Sequence, residues 1–175
     1  MRFFKAAIAT GILLFSSIAA AQVQNFSFQD IYGKTHQFSE YRGKWVVVNY
    51  WSTQCQPCLS EIPALKNIAQ RYRNRVVVLG MDAGETPDAQ MRKFIRDKAI
   101  NYTVVPTQDS TIFALGLVFG VPTTYVVSPE GKIVNSRMGA ISEQELQQYF
   151  DREDAQNASN SKVDNKAAAC TTAVC

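Results

Sequence analysis

The sequence is poor in histidine. His36 is the only one among 175 residues, so a metal centre built on imidazole ligands has little to draw on. An excess of one charge is also missing. Arg2 and Lys5 fall in an N-terminal leader, and setting them aside from the eighteen basic residues leaves sixteen against fifteen acidic ones. Such a balance excludes a dominant electrostatic field for nucleic acid. There is no internal repeat and no long uninterrupted apolar run. Ala6 to Ile18 is apolar but broken by Thr10, Gly11, Ser16 and Ser17, short of the roughly 20 residues a membrane span needs. No cysteine directly follows the leader, where Gln22 stands, which argues against a bacterial lipoprotein anchor. Hydrophobic residues at 46% and charged residues at 19% argue against wholesale disorder, and the length suits one domain with one sizeable core.

What is present begins with that leader. A basic start at Arg2 and Lys5, the apolar stretch, and Ala19-Ala20-Ala21 before Gln22 form the three-part layout of a secretory signal. Export with cleavage after Ala21 is the expectation, ahead of retention as an uncleaved anchor. From Asp154 onward the chain turns to Ala, Asn, Ser, Asp and Lys. Almost no large apolar side chain remains there to offset the entropy of ordering, which predicts a flexible tail over 154–175 behind a folded domain over 22–153.

Within the domain, Phe26 to Gln29 and Thr35 to Phe38 flank Tyr32-Gly33-Lys34 and read as a short hairpin. Trp45 to Trp51 is a continuous β-branched and aromatic run, the pattern of a strand covered on both faces. Leu59, Ile62, Leu65, Ile68, Ala69 and Tyr72 then recur at helical spacing, with Pro63 predicting a kink. A second buried strand follows at Val76 to Met81. Pro87 to Lys98 reads as a helix with Thr86 placed to cap it. Val104 and Val105 suggest an extended piece, and Ser110 to Leu115 a short helix. Thr123 to Val127 and Lys132 to Arg137 surround the turn Ser128-Pro129-Glu130-Gly131, and Ser142-x-x-Glu145 is a capping box for a last helix reaching about Arg152. The order is a parallel crossover unit finished by an antiparallel hairpin, which implies a three-layer α/β sandwich.

The chemistry sits where the first buried strand meets the kinked helix, in Trp51-Ser52-Thr53-Gln54-Cys55-Gln56-Pro57-Cys58. A Cys-x-x-Cys pair at a helix entry has a mechanism. Peptide dipoles and unpaired N–H groups favour a thiolate at Cys55, and Cys58 one turn later can resolve the mixed disulfide that Cys55 forms. Half of a zinc site is a weaker reading, because the other ligands would have to come from His36 or the tail. A purely structural disulfide is weaker too, since so short a loop removes little chain entropy. Gln56-Pro57 places no histidine between the cysteines to overstabilise a thiolate, which argues for a reductant or a middling exchanger rather than a strong oxidant.

The strand Val46-Val47-Val48-Asn49-Tyr50-Trp51 leading into Cys55-Gln56-Pro57-Cys58, together with Gly120-Val121-Pro122-Thr123-Thr124-Tyr125 running into Ser128-Pro129-Glu130-Gly131-Lys132, resembles the thioredoxin-fold family. Within it the chain is similar to the TlpA/ResA-like exported thiol-disulfide oxidoreductases, over residues 26 to 150. The resemblance implies a thioredoxin fold with a central mixed sheet and a redox-active Cys55–Cys58 disulfide. It also implies a cis Val121–Pro122 bond opposite the sulfurs, and a substrate-binding surface formed by Val121, Pro122, Gln54 and Trp51. It further implies reduction of disulfides in exported proteins, apocytochrome c among them, in the periplasm. A membrane thiol reductase would act as electron donor, with no cofactor, metal or nucleic acid involved. Gln54 departs from the Trp usual before the first cysteine. Asn49 stands where ordinary thioredoxins carry a buried Asp, and Gly84-Glu85-Thr86 resembles the segment that makes Glu85 the proton-handling acid. A disulfide-forming oxidase and a non-catalytic peptide-binding module are the rival functions.

The remaining features carry milder expectations. His36 reads as a surface or hydrogen-bonded residue rather than a catalyst, and Arg71, Arg73 and Arg75 as a solvated helix end. Cys170 and Cys175 read as a local disulfide or reactive tail thiols in preference to a relay, because nothing around them creates an activated thiolate.

Overall fold

The computed structural model describes residues 22–112, 114–152 and 155. The expected leader, and the tail with Cys170 and Cys175, lie outside these described residues.

The early hairpin forms as β1 (Ser27–Gln29) and β2 (Thr35–Gln37), paired antiparallel and followed by a 3-10 turn at Phe38–Tyr41. The main sheet contains β3 (Trp45–Trp51), β4 (Val76–Asp82), β5 (Thr103–Val105), β6 (Thr123–Val127) and β7 (Ile133–Met138). Its order is β5-β4-β3-β6-β7. β3 runs parallel to β4, and β4 to β5, while β6 and β7 are antiparallel additions on the other side of β3. β3 is thus the central strand. All seven of its residues are buried, as a β-branched and aromatic run broken only by Asn49 predicts.

Period-two alternation along β3 then decides what each face receives. The odd positions Trp45 and Val47 pack with Leu65, Ile68, Leu146 and Phe150 from the helices α1 (Gln56–Arg71) and α4, which runs over residues 143–152. Trp51, on the same face, packs with Cys58, Ile62, Met91 and Ile95, the last two from α2 (Asp88–Asp97). The even positions Val46, Val48 and Tyr50 pack with Phe28, Phe38 and Leu115 on the opposite face. That second outer layer is built from the hairpin, the 3-10 turn and a short helix, α3 (Asp109–Ile112).

α1 carries the buried stripe its spacing predicts, and it continues through Pro63 to Arg71 as one helix. α2 corrects one expectation. It starts at Asp88 with Pro87 in the capping position and no side-chain cap, because Thr86 is bonded elsewhere. Arg71 is also more than a solvated helix end, since it pairs with Glu143 at 2.9 Å and ties α1 to the start of α4. His36 is buried between two partners, 3.0 Å from Asp30 and 3.1 Å from the Tyr41 hydroxyl, and it fastens the hairpin to the turn. Burial alone would raise the Asp30 pKa, but the hydrogen bonds from His36 and from the Lys34 and Tyr32 amides bring it below the usual carboxylate value.

The capping box forms as the sequence spells it. The Ser142 hydroxyl accepts from the Glu145 amide at 3.2 Å, and the Glu145 carboxylate accepts from the Ser142 amide at 3.0 Å. Ser142→Ala is expected to cost about 1 kcal/mol, measured as a lowered midpoint in denaturant unfolding at an unchanged slope.

Candidate active site

β3 ends at Trp51, and the chain must turn sharply before α1 begins at Gln56. Ser52 builds that turn. Its hydroxyl accepts from the Gln54 amide at 3.2 Å and its carbonyl from the Cys55 amide at 3.3 Å. The loop after β4 presses against it so closely that a Cβ on Gly84 would lie 2.9 Å from the Ser52 Cβ, which requires glycine there. Asp82 holds this second loop. Buried at the end of β4, its carboxylate accepts from the amides of Gly84 at 3.1 Å and Thr86 at 2.7 Å. The Thr86 hydroxyl lies 3.3 Å from that of Thr53, so the two loops are coupled next to the cysteines.

Cys55 occupies the N-cap of α1 in extended conformation, and its Sγ accepts a hydrogen bond from the Cys58 amide at 3.2 Å. The capping acceptor is thus a sulfur. A sulfur so placed meets an unpaired N–H and the positive end of the helix, both of which favour its negative form. Cys55 and Cys58 are joined in a disulfide with Cα atoms 5.2 Å apart. Cys55 is half-buried, whereas Cys58 is only 1% exposed and packs beneath it. One sulfur therefore faces incoming molecules while the other waits behind it.

Opposite the pair, the Val121–Pro122 peptide is cis. The Val121 carbonyl oxygen lies 3.7 Å from Cys55 Sγ. In the disulfide this approach involves no hydrogen. In the dithiol the Cys55 thiol has a proton to donate along it. Val121 is half-buried and Pro122 buried, and Gln54 is exposed beside the sulfurs.

Two expected site residues are placed differently. Trp51 is 1% exposed in the cluster around Cys58, so it lies below the site rather than on its outer face. The reason is register: odd positions of β3 point toward α1. Glu85 is exposed on the loop after β4 with a φ of +51°, at the rim of a cavity of about 190 Å³ lined by Tyr50, Thr107 and Val118.

The buried carboxyl group on the redox helix is Glu61, one turn after Cys58 and 2% exposed. Its Oε1 accepts from Asn49 Nδ2 at 2.8 Å and its Oε2 from the Ile141 amide at 2.8 Å. Asn49 Nδ2 also donates to Thr124 Oγ1 at 3.0 Å, which binds β3, β6 and α1 into one polar network. Burial raises the Glu61 pKa above the ordinary value, and the two N–H donors offset this only in part. Glu61 also lines an open groove of about 430 Å³ between α1 and residues 140–143. Its burial was legible in principle, because it sits on the same helical stripe as Cys58, Ile62 and Leu65. Among the described residues no cluster of three or more His, Cys, Asp or Glu is arranged to hold a metal ion.

Comparison with known proteins agrees with this geometry. The chain matches the AhpC/TSA family over residues 19–136. It is 31% identical over 127 residues to the thiol-disulfide oxidoreductase ResA of Bacillus subtilis, covering 72% of this chain and 70% of that protein. It is 30% identical to the thiol-disulfide oxidoreductase ResA of Geobacillus thermodenitrificans, covering 73% of each. A solved structure of a DsbF homologue from Corynebacterium diphtheriae matches in fold, with a TM-score of 0.71 over 85% of this chain and 98% of that one at 22% identity.

Proposed function

The chain belongs to the AhpC/TSA family and is a thiol-disulfide oxidoreductase, and from that premise we propose that it works as an exported reductant of protein disulfides. The observation that carries the direction is the electrostatics around Cys55. Glu61 is the only charged residue between Trp45 and Leu65, so no cation lies near in sequence to overstabilise the thiolate. The α1 N-terminus and the Cys58 amide favour it. A dithiol stabilised this modestly gives up its electrons readily.

The cycle follows from the two positions. Cys55 thiolate attacks one sulfur of a substrate disulfide, forming a mixed disulfide and releasing the other substrate sulfur as a thiolate that takes a proton from water. Cys58 then loses its proton and attacks Cys55 Sγ. The Cys55–Cys58 disulfide forms, the second substrate sulfur leaves as a thiol, and two electrons have passed from enzyme to substrate. Cys58 is buried, and burial disfavours its charged form. A base is needed at this step. Glu61 on the same helix is the better placed carboxyl than exposed Glu85, and the groove beside it offers the proton a way to solvent.

The Val121 carbonyl and Pro122, with Gln54 at the rim, receive an extended substrate segment. Residues 1–21 support export, with the domain acting in the periplasm once the leader is removed after Ala21. No helix among the described residues is long and apolar enough to cross a membrane. Similarity to ResA proteins supports oxidised apocytochrome c as one substrate, and the site then needs a membrane thiol reductase to return it to the dithiol. Equilibrium of the Cys55–Cys58 pair against glutathione tests the direction. A potential near the thioredoxin value of about −270 mV is expected, and one near the roughly −120 mV of a strong oxidant overturns the reductant reading.

A further inference from the structure

The loop entering the cis-proline, whose Val121 carbonyl approaches Cys55 Sγ, exposes large apolar side chains. Phe119 is 86% exposed and Leu117 62% exposed, and Met138 at the end of β7 is 69% exposed. Met138 joins them in space, since a Cβ on Gly120 would lie 3.7 Å from its Sδ. Val118, between the two loop residues, instead packs against the core with Tyr50 and Tyr125. This is extended alternation: 118 inward, 117 and 119 outward.

Three hydrogen bonds hold the loop. The Tyr125 hydroxyl donates to the Leu117 carbonyl at 3.0 Å, Thr123 Oγ1 donates to the Gly120 carbonyl at 2.7 Å, and the Gly139 amide donates to the Pro122 carbonyl at 2.8 Å. Tyr125 is itself braced edge-on by Tyr50 at 6.0 Å between ring centroids. A rigid support that keeps large apolar groups in water has the form of a docking surface, because the cost of ordering it is met before any partner arrives.

We propose that Leu117, Phe119 and Met138 select the substrate, and that the occupant is an extended segment of oxidised protein with a large apolar side chain two residues from the cysteine that Cys55 attacks. The proposal rests on the reductase reading and names its substrate class. Continuity with the reaction centre fixes the place, since Phe119 lies two residues before Val121, whose carbonyl is 3.7 Å from Cys55 Sγ. In an extended chain that spacing covers about 7 Å, and a paired substrate strand matches it with its own second neighbour. Charge fixes the chemistry. Residues 114–124 contain no charged side chain, and Arg137 beside Met138 is already paired with Glu145. A charged neighbour of the substrate cysteine would lose hydration here without finding a partner on residues 114–124.

The test uses the reduced full-length chain and two symmetric disulfide-linked peptide dimers, identical except for Phe or Ser two residues from the cysteine. The Phe peptide is expected to react with about tenfold higher kcat/KM. In the double variant Leu117→Ser, Phe119→Ser this ratio is expected to fall to about one, chiefly by loss on the Phe peptide. A ratio near one in the unsubstituted protein, or a ratio that survives the double substitution, overturns the proposal while leaving the reductase reading intact. Reduction of neither peptide overturns both. A Cys58→Ser chain that forms an internal disulfide from Cys55 to Cys170 or Cys175 on adding oxidised glutathione, more slowly when Leu117 and Phe119 are replaced, would seat the chain's own C-terminal segment on this surface and overturn the proposal.

Discussion

Cys55→Ser is expected to lower the rate of substrate disulfide reduction by on the order of 10³-fold or more, because a serine hydroxyl is not ionised near neutrality and cannot replace a thiolate. Cys58→Ser is expected to fail differently. The first attack survives, since Cys55 keeps its place at the α1 N-terminus, but no second sulfur releases the substrate. A covalent enzyme–substrate adduct should accumulate in the Cys58→Ser protein and be absent from Cys55→Ser, as read by mass under non-reducing conditions. The asymmetry follows from burial, with Cys55 half-buried at the surface of the site and Cys58 sealed below it. Adduct formation through Cys58 in the Cys55→Ser protein would reverse the assigned roles.

The second large effect is expected from Glu61→Gln. Removing a general base typically costs 10²- to 10⁴-fold, and release of substrate by Cys58 should slow by about 10²-fold at neutral pH. In the unsubstituted protein this step should rise with pH through a titration lying above the ordinary carboxylate value, because burial raises the Glu61 pKa. In Glu61→Gln that limb should vanish. Glu85→Gln is expected to leave it in place, and the opposite pattern would return the role to Glu85.

Stability responds with a definite sign. A carboxyl whose pKa is higher in the folded than in the unfolded state binds more protons when folded, so its contribution is fully present below the unfolded value and is lost as pH rises through the folded one. The unsubstituted protein should therefore lose some stability as pH rises from the ordinary carboxylate value through the raised one. Glu61→Gln should not show that slope. Glutamine also lacks the second acceptor oxygen that the carboxylate offers to Asn49 Nδ2 and the Ile141 amide, so one of the two bonds must be given up.

The resemblance to ResA-like proteins, read from two motifs, anticipated the cis bond at Val121–Pro122 and the family. It directed attention to Glu85 as the acid, which the fold leaves exposed on the loop after β4. Glu61 follows Cys58 by three residues, whereas Glu85 lies 27 residues further on than Cys58. Only one of them is enclosed by the packing of α1 against β3. The polar residue Asn49 looked like a lost acid. In the fold it is the donor that holds the Glu61 carboxylate.

By itself the sequence determined what local chemistry and periodicity can determine. It set the burial of β3 on both faces through its β-branched and aromatic run, the buried stripe of α1, the Ser142–Glu145 box, and the two cysteines at a helix entry. Each of these is written within a few residues of itself. The tertiary structure decided what depends on residues far apart in the chain. It brought Val121 to Cys55, Asn49 to Glu61 across 12 residues, and Ile141 to Glu61 across 80. It also left Phe119, two residues before Val121, and Met138 exposed. Burial is a property of the assembled layers, so which carboxyl is enclosed and has its pKa raised, and which aromatic ring is left exposed, can be read only once those layers have closed.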